Sequence, residues 1–417
     1  MATVSPLEIG EPVLRWSARA HSIAGIEHEL ARIWSAQDLT AQVDGEPGRH
    51  VSARSSVMNL VVIARRPELA EHCAATIQAL TGRHPSRTMI VSSADPDGPS
   101  WLDARVEAHC VLPREGSPET CAEMIHITAG GEAGRHVAAI VTPLLIHDLP
   151  VTIWWPDEPP LGLAATTDML AAADRLVVDG STWNGDGLDR IRELAALAAT
   201  GRLAVSDFAL VRQSRWREAI ASIFDDPEFL PYLRYLRRIA VTYSTHDETG
   251  TAGFTNLVKP AYHVAWLASR LGLHVVKPLA AISGPAKSRA GGTVRSTGAV
   301  KTAGRGQAAT LSDGRADVSV LVRPILSSTP AGTTLRVELL ADRRGSELRA
   351  DVTAEAGSVH VRVWQDGVEA LERSFRAPRL TEVDLLAEAI ERGRRDPVAA
   401  GALQAAAALA GPRGSRG

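Results

Sequence analysis

Thirteen histidines and 48 carboxylates give this 417-residue chain ample material for catalysis or metal binding, so their spacing decides what they can do. His126, His136 and His147 stand about ten residues apart, which does not set two imidazoles on one helical face as metal ligation commonly requires. Asp95 and Asp97 in "DPD" could help to hold a divalent cation, but aspartates in a loop are ordinarily solvated. "GGEAGR" (Gly130–Arg135) lacks the glycine spacing of a dinucleotide fingerprint and follows no obvious strand. There is no GxxxxGK[ST] phosphate loop, no HExxH, no GxSxG elbow and no paired CxxC. With no nucleophile–base pair in view, the expectation is a protein that is not an enzyme and carries no cofactor or metal.

Composition bounds the class. Hydrophobic content of 45% and charged content of 22% are those of a globular protein, and the length allows two or three domains. A net charge of −3 supplies no general electrostatic reason to bind nucleic acid or an anionic membrane. The most apolar window, "HVAAIVTPLLIHDLPVTIWW", is interrupted by His147, Asp148 and Pro150 well short of the ~20 residues of a membrane span. Glu8 and Glu11 break the apolar core a signal peptide would need. Three cysteines, Cys73, Cys110 and Cys121, are few and odd in number, which suggests a reducing compartment; the expected location is cytoplasmic.

The elements that would position any site follow from periodicity. Trp16 to Trp34 reads as one amphipathic helix, with Ile23, Ile26, Leu30 and Ile33 on a stripe. "VMNLVVIA" reads as a strand buried on both faces, Pro67 opens a helix that Gly82 closes, and "RTMIVSS" is the next strand. "LDARVEAHCVL" alternates, with Asp103, Arg105, Glu107 and His109 on its polar side, as expected of a half-exposed strand at or near an edge. "VTIWW", "RLVVD" and "RLAVS" alternate with helices. This predicts an open, mostly parallel α/β sheet with flanking helices, then a helical segment and a C-terminal α+β antiparallel meander. The expected domains are residues 1–50, an N-terminal helix and linker; 51–206, the α/β domain; 207–283, a helical and strand segment of a second domain; 284–316, a flexible basic Gly-rich linker; and 317–417, the meander plus helix. The linker's charge reads as solubility, with a polyanion contact as the lesser alternative.

A ligand of an open α/β sheet sits outside the carboxyl ends of the strands. Here those ends hold Ser92, Ser93, Asp95 and Asp97; Trp154, Trp155 and Asp157; Asp179 and Ser181; Ser206 and Asp207. The set is acidic and, without a metal, would repel a phosphate rather than cradle it. That tilts the reading toward protein binding.

"ARSSVMNLVVIA", "HPSRTMIV", "RHVAAIVTPLLIHDLPVTIWWPDEPP", "ADRLVVDGS", "FALVRQSRWREAIASIFDDP" and "AWLASRLG" occur in this order, from about Arg54 to Gly272. Together they resemble the OpcA family, the glucose-6-phosphate dehydrogenase assembly proteins of cyanobacteria and actinobacteria. The resemblance implies a cofactor-free protein that binds glucose-6-phosphate dehydrogenase and favours its active, assembled form. The candidate contact residues are Trp154, Trp155, Pro156 and Asp157, together with His84 and Arg87 of "HPSR". Alternation on "VTIWW" points one tryptophan to the core and the other outward as an interface anchor; a pair of core rings, and a capped turn or ion pair at "HPSR", are the structural alternatives. In cyanobacterial members activation is linked to thiol redox state. In this chain Cys73 and Cys110 lie on apolar faces, and Cys121, after Pro118 and Glu119, is the accessible candidate. The alternative function is an α/β enzyme or sensor with a phosphosugar or nucleotide at the strand ends.

Overall fold

Runs of β-branched residues organise the first sheet, because a strand covered on both faces can carry Val and Ile at every position. In the computed structural model, which describes residues 12–35, 53–54, 56–111, 120–245, 256–282, 306–355, 357–392 and 396–412, these runs sit mid-sheet. The strands are β1 (Pro12–Ala20), β2 (Ala53–Arg54), β3 (Asn59–Ala64), β4 (Arg87–Ala94), β5 (Trp101–Val111), β6 (Thr120–Gly130), β7 (Val151–Trp155), β8 (Arg175–Val178) and β9 (Ala204–Asp207). Their order is β1-β5-β6-β4-β3-β7-β8-β9, with β2 on β6. The pairs β6–β4, β4–β3, β3–β7 and β7–β8 are parallel, and β1 and β5 add an antiparallel edge. The chain is therefore α/β with an open, mostly parallel first sheet, as its periodicity predicts.

Two readings need correction at that edge. The stretch expected to begin a helix at Trp16 is β1 as far as Ala20, and the helix runs from Ile23 to Ser35 with Ile26, Leu30 and Ile33 buried. Because β1 takes the edge, β5 is interior and its polar side is covered: Glu107 and His109 are both buried. Glu107 accepts from His109 Nε2 at 2.9 Å and pairs with Arg105 Nε at 2.7 Å. Burial pushes its carboxyl up, but the His109 and His126 hydrogen bonds outweigh that and hold it well below the usual range.

Cys121 is not an accessible thiol. Directly opposite it on β5 stands Cys110, with the Cα atoms 4.0 Å apart, and the two form a disulfide. Cys73 is buried as a free thiol, and burial, followed by Glu382 and Asp157, pushes its pKa up.

The chain divides into two compact units. The first comprises Met1–Val178, Arg202–Ala204 and Thr381–Arg394; the second comprises Asp179–Gly201, Val205–Leu380 and Arg395–Gly417. In the first, Arg175 of β8 donates Nη1 to the carbonyls of Ala389 (2.7 Å) and Ile390 (2.6 Å), and another nitrogen to Arg392 O. A buried guanidinium thereby satisfies the orphan carbonyls that end the helix Glu382–Glu391.

The second sheet contains β10 (Leu236–Ser244), β11 (His274–Ala281), β12 (Gln307–Ser312), β13 (Asp317–Ile325), β14 (Thr334–Arg343), β15 (Ser346–Glu355), β16 (Ser358–Gln365) and β17 (Val368–Arg376). Its order is β11-β12-β13-β10-β14-β15-β16-β17, antiparallel except for β10–β13. The expected linker at 284–316 lies outside the described residues as far as 305, and its last part contains β12. Val320, Val322, Ile239, Val241, Val337, Leu339, Val352, Val361 and Val363 build the buried face. The Ala-rich stretch near the C-terminus is the helix Pro397–Ala410, capped by Asp396 and packed on Val258–Leu271 and Leu188–Ala199. Its alanines permit a close approach: a Cβ on Gly401 would stand 2.3 Å from Ser269 Oγ.

Titration of thiols in denaturant should find one before reduction and three after it, matching the three cysteines present. Three before reduction would remove the Cys110–Cys121 bond.

Candidate functional site

The residues singled out around "HPSR" and "WWP" do not share a surface. Arg87 is level with Asn59 on β3, and Asn59 with Val151 on β7. Trp155 lies four residues beyond Val151, about 13 Å along the parallel strands at ~3.3 Å per residue. His84 and Arg87 are thus at the amino ends, and Trp154–Asp157 at the carboxyl ends.

Trp154 and Trp155 are both buried, at 0% and 5% exposure, so the expectation of one outward ring does not hold. Alternation does send neighbouring side chains to opposite faces, but β7 is flanked by β3 and β8, and both of its faces are covered. The preceding "HDLP" is a turn fastened by Asn59, which accepts from Ile146 N at 2.8 Å and donates to Ile146 O (3.0 Å) and Leu149 O (3.3 Å). Pro156 and Asp157 are half-buried, and Asp157 Oδ2 accepts from Arg65 N at 3.4 Å. Arg87 is also engaged internally: Nε meets Glu123 Oε2 at 2.5 Å and Nη1 donates to Leu144 O at 2.9 Å. His84 and Arg83 share Glu391, at 3.1 and 2.5 Å. The loop acids behave likewise, Asp97 pairing with Arg135 at 3.0 Å.

A denser constellation forms in the second unit from the ends of β8 and β9. Asp179 accepts from Arg212 through both oxygens, at 2.7 Å each, and from the Ser181 hydroxyl at 2.6 Å. Burial pushes its carboxyl up, but the Arg212 bonds and charge outweigh it and hold Asp179 below the usual range. Asp207 accepts from Gly180 N and Ala209 N, each at 2.8 Å, and from the Tyr262 hydroxyl at 3.0 Å. Its pKa rises to about 7, through burial first and then the Asp179 charge. Gly180 has to be glycine: a Cβ there would lie 2.5 Å from Asp207 Oδ2 and 2.8 Å from Val258 Cγ1. Asn256 donates to Gly180 O at 2.9 Å and accepts from Val258 N at 2.9 Å, setting the start of the helix Val258–Leu271.

A carboxyl near 7 would suit proton transfer, yet Asp207 is 4% exposed and fully hydrogen-bonded. Tyr262 is held as the neutral phenol by burial and Asp207. His263 is buried, edge-on to Trp216 at 5.2 Å, and burial pushes its pKa down to about 3. What reaches solvent is cationic: the outer side of Arg212, and Lys259 in the first turn of the helix. Of the acidic strand ends expected to repel a phosphate, Asp97 and Asp179 are paired with arginines. Asp179, Ser181 and Asp207 were legible as strand ends, whereas Arg212 and Lys259 join them only through long-range packing.

A second surface lies on the sheet face opposite the valine-rich one. Arg238 pairs with Glu338 at 2.8 Å, Arg336 with Glu338 at 3.1 Å and with Asp351, and Arg349 with Asp351 at 3.0 Å. Each arginine keeps about a third of its side chain exposed, and Arg349 lies over the half-exposed Trp364 ring at 5.2 Å.

Among known proteins, residues 77–198 match the family described as the glucose-6-phosphate dehydrogenase subunit N-terminal domain, and residues 203–403 the one described as its C-terminal domain. The chain is 26% identical over 185 residues to a protein of Synechocystis sp. described as OpcA of the OxPP cycle, covering 44% of this chain and 36% of that one. It is 27% identical over 171 residues to the protein so described in Nostoc punctiforme, covering 41% and 34%. It spans about a third of the length of these curated relatives. An NAD binding oxidoreductase from Klebsiella pneumoniae is similar in structure, with a TM-score of 0.44 at 11% identity over 85% of this chain and 96% of that one.

Two measurements follow from this geometry. Asp207 binds a proton more tightly folded than unfolded, so its contribution to stability is full below about 3.8 and is lost as pH rises through about 7. Asp207→Asn, which mimics the protonated acid, should remove that decline and outlast the wild type above neutrality, by up to on the order of 4 kcal/mol. Parallel melting curves across pH check it. Trp154→Ala and Trp155→Ala should each destabilise the fold by roughly 3–5 kcal/mol through the cavity left behind, read by denaturant unfolding.

Proposed function

The chain belongs to the OpcA family, and on that premise we propose that it is a non-catalytic partner of glucose-6-phosphate dehydrogenase, binding it, assisting its assembly and shifting it toward its active form in the oxidative pentose phosphate pathway. The observation that carries this is the pair of domain matches, both described as subunit domains of that dehydrogenase and together reaching from residue 77 to 403. Such a partner works in the cytoplasm. Among the described residues, no helix is long and apolar enough to cross a membrane.

The surface we assign to the contact is the arginine-bearing sheet face rather than the tryptophan pair. Interfaces are enriched in Arg and Trp, and their anchors are held in place before binding. Arg336 and Arg349 are held by Glu338 and Asp351, and Trp364 is braced by Arg349. Three arginines over two carboxylates leave a positive surplus that would steer an acidic patch of a partner. Pro156 and Asp157, half-buried, are a secondary candidate for the rim.

The unaltered chain should co-purify with the dehydrogenase and raise its activity, while turning over no glucose 6-phosphate alone. Trp364→Ala combined with Arg349→Ala should weaken that binding by on the order of 2 kcal/mol or more, with little change in the melting of the free protein. Unchanged affinity would move the contact off this face. A failure of the unaltered chain to bind the dehydrogenase at all would overturn the function.

A further inference from the structure

The second sheet ends differently on its two sides. At one edge β11 carries Lys277 and Pro278 in mid-strand, and proline withholds an N–H that another strand could use. At the other edge β17 has nine residues with neither lysine nor proline, and among the described residues it pairs with β16 alone. None of its nine residues is buried, so the backbone donors and acceptors along its outer side face solvent. A long open edge of this kind is a template for a further strand.

The side chains of β17 say what such a strand carries. The pairing with β16 slips between Glu369 and Leu371, which turns Val368 to the same side as Leu371, Arg373 and Phe375. Opposite Leu371, Arg373 and Phe375 stand Val363, Val361 and Val359, all buried. Val368, by contrast, is 70% exposed, the most of any large hydrophobic residue described. The helix Ser214–Ile223 packs on β15 and β16 and reaches β17 through Ser222 O, which accepts from Arg373 Nη1 at 3.3 Å. Leu371 and Phe375 are left half-buried. The other side of β17 carries Glu369 and Glu372, both exposed; Arg362 on β16 holds Glu372 at 2.7 Å, and the two glutamates outnumber it. We infer that the free edge of β17 accepts an extended segment of a partner protein in which apolar side chains alternate with lysine or arginine. Main-chain hydrogen bonds supply the affinity, apolar residues cover Val368 and Leu371, and cations face Glu369 and Glu372. A second copy of this chain suits the edge less, because a two-fold axis centred on β17 sets Glu372 against Glu372. The inference is independent of the dehydrogenase reading: it concerns an edge rather than the arginine-bearing face, and it is tested on the free chain.

The test is fluorescence anisotropy of the full chain with a labelled peptide of about seven residues alternating valine and lysine, enough to span most of a strand of ordinary length. The controls are the same peptide N-methylated at every residue, a serine–lysine version and a valine–glutamate version. The valine–lysine peptide should bind saturably and slow hydrogen exchange at the amides of β17. The N-methylated and serine–lysine peptides should do neither, since one lacks the main-chain donors and the other the apolar face. Glu369→Lys combined with Glu372→Lys should raise the Kd by about tenfold or more and turn the preference toward the valine–glutamate peptide, as each attractive cross-strand pair becomes a like-charge one. Val368→Lys, at an exposed position, should raise the Kd by about fivefold and leave the melting midpoint unchanged. Leu163→Lys, at an exposed position in the first unit, should leave the Kd as it is. If the double variant does not fold, Val368→Lys and the N-methylated peptide decide. Equal binding of the N-methylated peptide, unchanged exchange in β17 on binding, or an unaltered Kd in Val368→Lys would each overturn the proposal. Concentration-dependent dimerisation in sedimentation, abolished by Val368→Lys, would give the edge to a second copy and overturn it as well.

Discussion

The burial of one carboxylate, that of Asp207, governs how the second unit is put together. It takes amides from Gly180 and Ala209 and a hydroxyl from Tyr262, so the residue after Asp179, the turn after β9 and the helix Val258–Leu271 all converge on it. That convergence demands a glycine at 180 and an asparagine at 256 to satisfy the backbone it displaces. A buried carboxylate is expensive unless its oxygens find donors, and here three donors come from three separate segments. Neighbouring Asp179 is held ionised first by Arg212, which grips both of its oxygens, and then by Ser181.

Much of the fold was legible because periodicity reports burial. The apolar run Leu60–Ala64 of β3 and the alternating β13 to β16 declared themselves as interior parallel and half-covered antiparallel strands. What was missed has physical causes. β1 was hidden because its register slips between Leu14 and Trp16 and Ala20 alone is buried, so no clean stripe shows; without it, β5 was rightly read as at or near an edge but wrongly as half-exposed. β17 is exposed along most of its length and offers no apolar stripe, although Asp366–Gly367, with φ of 51° and 82°, is the dipeptide a tight hairpin asks for. For the candidate site, strand ends could be located but charge balance could not. Which arginine meets which aspartate depends on contacts 33 residues apart in sequence, and no periodicity encodes them.

The tryptophan pair illustrates the difference between a signature and a contact surface. Its rings fill a strand that is buried over its whole length, and the residues before it form a turn nailed down by Asn59. A stretch can therefore identify a family by what its packing requires. The polar ladder on the second sheet carries no such string; its arginines and acids are scattered over 114 residues and assemble only when β10, β14 and β15 come into register.

The first unit is not a continuous piece of chain: it is completed by Thr381–Arg394, after the polypeptide has traced nearly all of the second. On a ribosome this has a definite meaning. The opening 178 residues emerge with Arg175 lacking the carbonyls of Ala389, Ile390 and Arg392, and those arrive more than two hundred residues later. At the usual pace of about 5–20 residues per second, the nascent α/β layer waits on the order of ten seconds or more with a guanidinium still hydrated where the finished protein buries it. The first unit is thus completed only after most of the second has been made, and a chain cut after Val178 would lack the helix whose carbonyls Arg175 holds.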